Sequence, residues 1–237
     1  MKSIEINIEP LDYSSAEAYK TLRTNLKFCG DDKTVIAITS CMENEGKSSV
    51  CMNLAVSLAE SGEKVIVIDA DLRKSVLVGR HRVREEIQGL THYLSKQATL
   101  NDVVCVTNIN NLHMIFAGPS APNPAELLGG KYFVGMIEAL RKAYDYVLID
   151  TPPLGMVIDS AIIAQKCDGI MLVIESGSDS YKFVRSVKEQ LDKAQCPILG
   201  VVLNKVDLSK GGYYGHYYGK YGKYGDYYGS YGEKKDE

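Results

Sequence analysis

Three short segments of this chain place phosphate-binding and acidic side chains where they could act together. Residues 39–49, TSCMENEGKSS, close an aliphatic run begun by VIAI and precede SVCMNLAVSLAE, whose apolar spacing is helical. A strand, a loop ending in Gly-Lys-Ser and a helix form a setting in which backbone N–H groups and a helix N-terminus hold a chain of phosphates. Lys47 would reach the outer phosphates, Ser48 would offer its hydroxyl to Mg2+, and Gly46 would let the backbone approach closely. Cys41 stands where the usual G-x-x-x-x-G-K-[ST] pattern has its first glycine. Asn44 softens that departure, because Asn is among the few non-glycine residues that tolerate a left-handed backbone.

Two acidic strand ends add to this loop. VIVIDADLRK puts Asp69 and Asp71 at and just past the end of one aliphatic run, and YDYVLIDTPP ends another with Asp150. An Asp after four aliphatic residues is the usual form of the carboxylate that holds Mg2+ through water opposite the lysine. Each acid alone also fits a strand terminator or a helix cap. Three of them with a Gly-Lys-Ser on one sheet point to a magnesium-nucleotide site. A fourth segment, Asn204-Lys205-Val206-Asp207, matches the N-K-x-D pattern that reads guanine and follows the last aliphatic run.

These residues need a scaffold that brings strand ends together. Aliphatic runs recur at 35–39, 65–69, 112–116, 146–150, 169–174 and 198–204, and they read as strands buried on both faces. Helical spacing fills most of the intervals, so the expected fold is α/β: a mostly parallel sheet with helices on both faces, like a P-loop NTPase. Such sheets bind ligands at the carboxyl ends of their strands, where Ser40 to Ser49, Asp69 to Arg73 and Asp150 to Pro153 fall. Ser14 and Glu17 have capping-box spacing at the head of SAEAYKTLRTNLKF, whose Tyr19, Leu22 and Leu26 form one apolar stripe. Asn123, Pro124 and Glu126 fit the N-cap, N1 and N3 positions of another helix.

Composition sets the limits. The chain has 237 residues, 45% hydrophobic and 24% charged, which suits one large soluble domain with a tail. No apolar run approaches the length of a membrane span, and MKSIEINIEP lacks the apolar stretch of a signal peptide. A formal net charge of -3 gives no sign of nucleic acid as a partner. Six scattered cysteines and four separated histidines offer neither a zinc pattern nor a disulfide framework, and reduced thiols in cytoplasm are expected. One segment departs from the rest: of the 22 residues from Gly211 to Gly232, 17 are Tyr or Gly. With no aliphatic residue it cannot build a core, and it reads as a flexible, disordered tail. A flexible chain of that length has an r.m.s. span of about 26 Å.

GKSS, then VIVIDADLRK, then YDYVLIDTPP, followed by a tyrosine-rich tail, resembles the bacterial tyrosine kinases (BY-kinases) of the cytoplasmic CpsD/CapB type, over roughly Glu17 to Tyr231. In that family the three motifs are called Walker A, Walker A′ and Walker B. The resemblance implies an ATP- and Mg2+-dependent kinase that phosphorylates tyrosines in its own tail, between subunits, in the control of capsular or exopolysaccharide synthesis and export. The acceptors here would be Tyr213, Tyr214, Tyr217, Tyr218, Tyr221, Tyr224, Tyr227, Tyr228 and Tyr231. Glu43, Asn44, Glu45, Gly46, Lys47, Ser48 and Ser49 would hold the nucleotide phosphates, and Asn204 the base. Ser48, Asp69 and Asp150 would hold the metal directly or through water. Catalysis would fall to Lys47, Asp69, Asp71 and Asp150, with Asp71 the candidate base and the division between Asp69 and Asp71 open. Arg73 either stabilises charge or pairs with a neighbouring acid.

The family's oligomerisation helix reads E-x-x-R-x-x-R. EAYKTLR matches it at Glu17 and Arg23 and has Lys20 for the middle Arg, a point charge in place of a bidentate fork. GPSAPNPAELL also resembles a family segment. The implied organisation is an oligomerisation region at 1–30, a kinase domain at 31–210 and a tail at 211–237. A homo-oligomer is implied, acting on protein tyrosines. A membrane protein supplied in trans would switch the kinase on and hold it at the inner face of the cell membrane. The phosphate loop departs from the family's usual P-G-E-G-K-S.

Two other switches remain as alternatives. ATPases of the partition and cell-division kind share the fold but carry a second lysine five residues before the Walker lysine, where this chain has Met42. A GTP-binding switch would use Asn204 and Asp207 on guanine. A non-catalytic reading makes the tail an adhesive segment.

Overall fold

The computed structural model describes residues 1–83, 85–178 and 180–207. The expected tail and its nine tyrosines lie outside the described residues. Eight strands form one sheet: β1 (Lys2–Ser3), β2 (Val35–Ser40), β3 (Val65–Asp69), β4 (Cys105–Val106), β5 (Leu112–Ile115), β6 (Tyr146–Asp150), β7 (Gly169–Glu175) and β8 (Ile198–Asn204), in the order β1-β4-β5-β3-β6-β2-β7-β8. Every pairing is parallel except β4 with β5. β-branched runs such as VIAI and VIVI suit a pleat buried from both sides, and β2 and β3 have no exposed residue.

Nine helices are described. On one face of the sheet lie α1 (Tyr13–Phe28), α2 (Lys47–Glu60) and α3 (Leu77–Arg80), with Leu26, Leu54, Leu58 and Leu77 in a core that also takes in Ile4 and Ile6. The other face is covered by α4 (Leu90–Leu94), α5 (Leu100–Val103), α6 (Pro124–Gly129), α7 (Lys131–Arg141), α8 (Asp159–Ala164) and α9 (Tyr181–Lys193), through residues such as Leu128, Phe133, Ile163 and Leu191. The α2 helix is apolar nearly all round because α1 packs over the side that the sheet leaves open.

Two local expectations change. The α1 cap is Asp12, whose carboxylate accepts from Ser15 N at 2.7 Å, so the helix starts at Tyr13 and Ser14 lies inside it. The expected stripe holds: Leu26 is buried, with Tyr19 and Leu22 partly so. At the other end of the sheet, β8 is an edge strand and is only half covered, with Val201 and Leu203 exposed. Its aliphatic sequence resembles that of a central strand, but among the described residues it has a neighbour on one side only. Asn123 and Pro124 do cap and open α6, and Asn123 Nδ2 reaches Glu126 Oε2 at 2.7 Å.

Strand order is what assembles the site. β3, β6 and β2 are consecutive in the sheet, so the ends carrying Asp69, Asp150 and the phosphate loop lie side by side. Asp69 and Asp150 are direct Cα partners in the β3–β6 ladder.

Candidate active site

The phosphate loop joins β2 to α2. Gly46 caps the helix with φ 91°, and Asn44 has φ 66°, the left-handed conformation its side chain tolerates. A Cβ on Gly46 would stand 2.1 Å from Asn204 Nδ2, so any other residue there must push the Asn204 side chain off the loop and adopt a left-handed backbone. Where the usual first glycine is missing, side chains hold the loop. Glu45 is buried, and its carboxylate accepts from Met42 N at 2.6 Å and from Glu175 N at 3.0 Å, tying both ends of the loop to β7. Asn204 Nδ2 donates to Glu45 O at 2.8 Å, and Lys205 Nζ donates to Asn44 O at 2.7 Å while pairing with Glu175 at 2.9 Å. Asn204-Lys205 thus grips the loop backbone.

Lys47 Nζ lies 3.2 Å from Ser48 Oγ and 3.6 Å from Asp150 Oδ1. Asp150 is buried, and its Oδ1 has no hydrogen-bond partner. Burial pushes its carboxyl above the ordinary range, and the Lys47 ammonium opposes that shift. Burial and the neighbouring Asp150 push Asp69 up to about 7. Ser75 Oγ and Asp71 N both donate to Asp69. Asp71 is only half-buried, and its Oδ1 accepts from Arg73 N at 3.2 Å and Lys74 N at 3.0 Å, leaving one edge of the carboxylate uncommitted to the turn. The two acids of the Asp69-Ala70-Asp71 turn therefore differ: one faces inward to Asp150 and the other outward.

Arg73 resolves in favour of an acid partner. Its guanidinium makes a bidentate pair with Asp159 at 2.7 and 3.0 Å, and Asp159 is fully buried at the head of α8. This pair fastens the acid turn to the loop after β6. That loop is itself fixed by Leu154 N donating to Ser40 O at 2.9 Å and Gly155 N to Cys41 O at 3.1 Å. A Cβ on Gly155 would stand 2.3 Å from Cys41 O. Asp159, Gly155 and Glu175 belong to no motif in the sequence, and Lys205 enters there only within the N-K-x-D pattern. The signal available is their position, at or beyond the end of a strand that reaches the site.

Other expected residues are placed less centrally. Ser49 Oγ accepts from Arg80 at 3.0 Å, and Glu43 stands 3.5 Å from Lys74 across the mouth of the site. In α1, Glu17 and Lys20 pair with each other at 2.6 Å on an exposed face, whereas Arg23 donates to Ser57 O at 2.6 Å and is used within the chain.

Two buried carboxylates whose proton affinities burial raises, an orphan oxygen and an adjacent serine hydroxyl suit a hard divalent cation. Among the described residues no group of three or more His, Cys, Asp or Glu could hold a metal by itself. The arrangement fits a cation that takes its remaining ligands from phosphate and water. Chemically, an ammonium, a helix N-terminus and paired acids form a site for phosphoryl transfer, in which positioning and charge neutralisation do most of the work.

Comparison with known proteins agrees with this geometry. Residues 33–198 match the model of the AAA domain family. The tyrosine-protein kinase CpsD of Streptococcus agalactiae is 45% identical over 203 residues, covering 85% of this chain and 89% of that protein. The solved BceF tyrosine kinase domain is 36% identical with a TM-score of 0.75, covering 81% of this chain and 78% of its own. The septum site-determining protein MinD from Pyrococcus horikoshii, in complex with Mg-ADP, is 27% identical with a TM-score of 0.64, covering 75% and 72%. The kinase is thus nearer than the cell-division ATPase in identity, in fold and in coverage. Together with the Gly-Lys-Ser loop set against paired strand-end acids, these matches show that the chain belongs to the CpsD-type bacterial tyrosine kinases.

Proposed function

We propose that this face of the sheet transfers the γ-phosphoryl group of ATP to protein tyrosines, first to the cluster from Tyr213 to Tyr231 on a neighbouring copy, in the control of capsular or exopolysaccharide synthesis. The observation that carries the reading is the placement of Lys47 against the buried Asp150–Asp69 pair, with a half-buried Asp71 two residues on. Lys47 and the loop N–H groups from Asn44 to Ser49 hold the outer phosphates. Ser48, Asp69 and Asp150 hold Mg2+, which neutralises phosphate charge when bound. Asp71 accepts the proton of the incoming tyrosine hydroxyl, and Arg73 acts through Asp159 to set where Asp71 points. Asn204 carries the base recognition, beside the loop it already touches.

Mg2+ as the ion is supported by the orphan Asp150 oxygen here and by the Mg-ADP named for the MinD relative. No helix among the described residues is long and apolar enough to cross a membrane, which agrees with an activating membrane protein supplied in trans that keeps the enzyme at the inner face of the cell membrane. Homo-oligomerisation through Glu17 and Lys20 of α1 is supported by their exposure and mutual pairing, since no other described group engages them across the fold. Nothing in the site adds the second lysine of the partition ATPases, because Met42 stands there, half exposed. Incubation with Mg·ATP and with Mg·GTP, with and without the cytoplasmic part of candidate activators, followed by phosphosite mapping, tests the reading. Phosphotyrosine confined to ATP supports it, and hydrolysis with no phosphotyrosine under any condition overturns it.

A further inference from the structure

Several hydroxyls at the strand ends serve the backbone. Ser40 Oγ donates to Met42 O at 2.7 Å, Thr39 Oγ1 to Pro152 O at 2.9 Å and Thr151 Oγ1 to Ile38 O at 3.0 Å, contacts that shape the turns around the site. Ser75 differs. Its Oγ donates to Oδ2 of Asp69, a carboxylate only 1% exposed, although Ser75 itself lies on the surface. The other oxygen, Oδ1, accepts from Asp71 N at 3.3 Å, a long contact. The Asp69 backbone is fixed in the β3–β6 ladder, so these two donors decide how its carboxylate is turned. The hydroxyl also has a direction: Leu77 N donates to Ser75 Oγ at 3.4 Å, which leaves the single hydroxyl proton for Asp69. The segment carrying Ser75 is pinned on both sides. Before it, Arg73 pairs with the buried Asp159; beyond it, Leu77 is buried and Arg80 donates to Ser49 Oγ at 3.0 Å in the first turn of α2. Asp150, opposite Asp69 in the ladder, keeps an Oδ1 without a donor. One acid thus presents an open oxygen, whereas the other has a donor on each of its oxygens.

We propose that Ser75 is a positioning residue of the metal site: its hydroxyl holds the Asp69 carboxylate on the Asp150 side, so that the place for the cation is assembled before a nucleotide arrives. This rests on the magnesium-nucleotide reading given above. A carboxylate that turns freely must be ordered at the moment of binding, and a fixed hydrogen bond from a neighbouring group removes that cost. The Ser75 hydroxyl bonds Asp69 and Leu77, so its loss falls on the metal site and not on the loop lysine or the outward acid. Because the residue is exposed, a change there disturbs no core packing.

The test uses the full-length chain and reads ADP binding by calorimetry across a Mg2+ titration. Ser75→Ala should raise the Mg2+ concentration at half effect about tenfold, while ADP affinity without metal stays unchanged. Ser75→Thr keeps the hydroxyl and should restore the wild-type midpoint. In tyrosine phosphorylation with the activating fragment, the Ala variant should show the same displaced Mg2+ dependence and recover to within about twofold of the wild-type rate at saturating Mg2+. An unchanged Mg2+ midpoint in Ser75→Ala overturns the proposal. So does a Thr variant as weak as the Ala variant, or an Ala variant that loses metal-free ADP affinity to the same degree, because Ser75 would then shape the pocket as a whole. Two levels stay separate. Wild-type ADP binding that ignores Mg2+, with no phosphotyrosine on any chain, removes the reading beneath the proposal, whereas a Mg2+-dependent wild type beside an indifferent Ser75→Ala removes the proposal alone.

Discussion

The phosphate loop and the acid turn face each other across the end of β6, which lies between their strands, and they are held by different means. The loop is held by its own Glu45 and by the chain beside it: the Glu45 carboxylate takes the backbone N–H groups of Met42 and of Glu175 in β7, and Asn204 and Lys205 donate to loop carbonyls. Lys47 reaches towards the acids, 3.6 Å from Asp150, where a phosphate and its cation would sit. The acid turn is held by its own charged side chains, with Asp69 tied to Ser75 and Arg73 to the buried Asp159. The difference shows how a loop that lacks its usual first glycine still keeps its shape, since the constraint has moved to its neighbours. It also explains why one acid is buried and raised towards neutrality whereas the next is open to a substrate.

The largest effect should come from the loop lysine. Lys47→Met is expected to lower phosphoryl transfer by at least about 10^3-fold, because it removes the one ammonium aimed at the phosphates. The fold should persist, with a lower thermal midpoint because the buried Asp150 loses its nearby ammonium. Unimpaired transfer with bound nucleotide would show that the phosphates lie elsewhere. Next comes the outward acid. Asp71→Asn should cut transfer by roughly 10^2-fold with nucleotide affinity intact, whereas Asp150→Asn should weaken the Mg2+ dependence as well. Equal losses of both properties in both variants would erase the distinction between the acids.

The holding contacts should separate on stability. Arg73→Gln leaves the buried Asp159 carboxylate without its partner and is expected to cost about 3 kcal/mol, with Arg73→Lys losing the fork but keeping part of that. Lys205→Met removes an exposed pair and should cost under about 1 kcal/mol in a chemical unfolding titration. Similar small losses for both would mean that the acid turn is fixed by something other than Asp159.

Protonation sharpens the same contrast. Asp69 is raised to about 7 by burial and by Asp150, against an ordinary 3.8. Between those values the folded, metal-free protein binds a proton that the unfolded chain has lost. The contribution of Asp69 to stability is therefore complete below the unfolded value and is lost as pH rises through about 7. From about pH 5 to about pH 8 the unfolding midpoint should fall more steeply in wild type than in Asp69→Asn, and Mg2+ with nucleotide should reverse the fall by taking up the carboxylate and releasing its proton. Identical profiles for the two proteins would place the raised acid elsewhere.

Much of this arrangement is readable in the sequence, and the limits have physical causes. All six aliphatic runs are strands, and the Asn44 conformation follows from its chemistry. The β8 run was expected to be buried on both faces, because composition records what a strand can pack against and not whether it has a second neighbour. The capping role of Asp12 was missed since Ser14 and Glu17 offered an equally spaced pattern. The Arg73 partner Asp159 and the tie from Glu45 to β7 carry no local signal: one spans 86 residues and the other 130. Such contacts are set by strand order, which local periodicity does not contain.

The most direct test of tyrosine transfer between subunits mixes two full-length chains with Mg·ATP and the activating fragment. One carries Lys47→Met and keeps its tail, and the other is active with all nine tail tyrosines changed to Phe. Phosphotyrosine on the Lys47→Met chain, between Tyr213 and Tyr231, is the result expected. An unmodified Lys47→Met chain, beside a wild-type control that phosphorylates itself, would contradict transfer between copies.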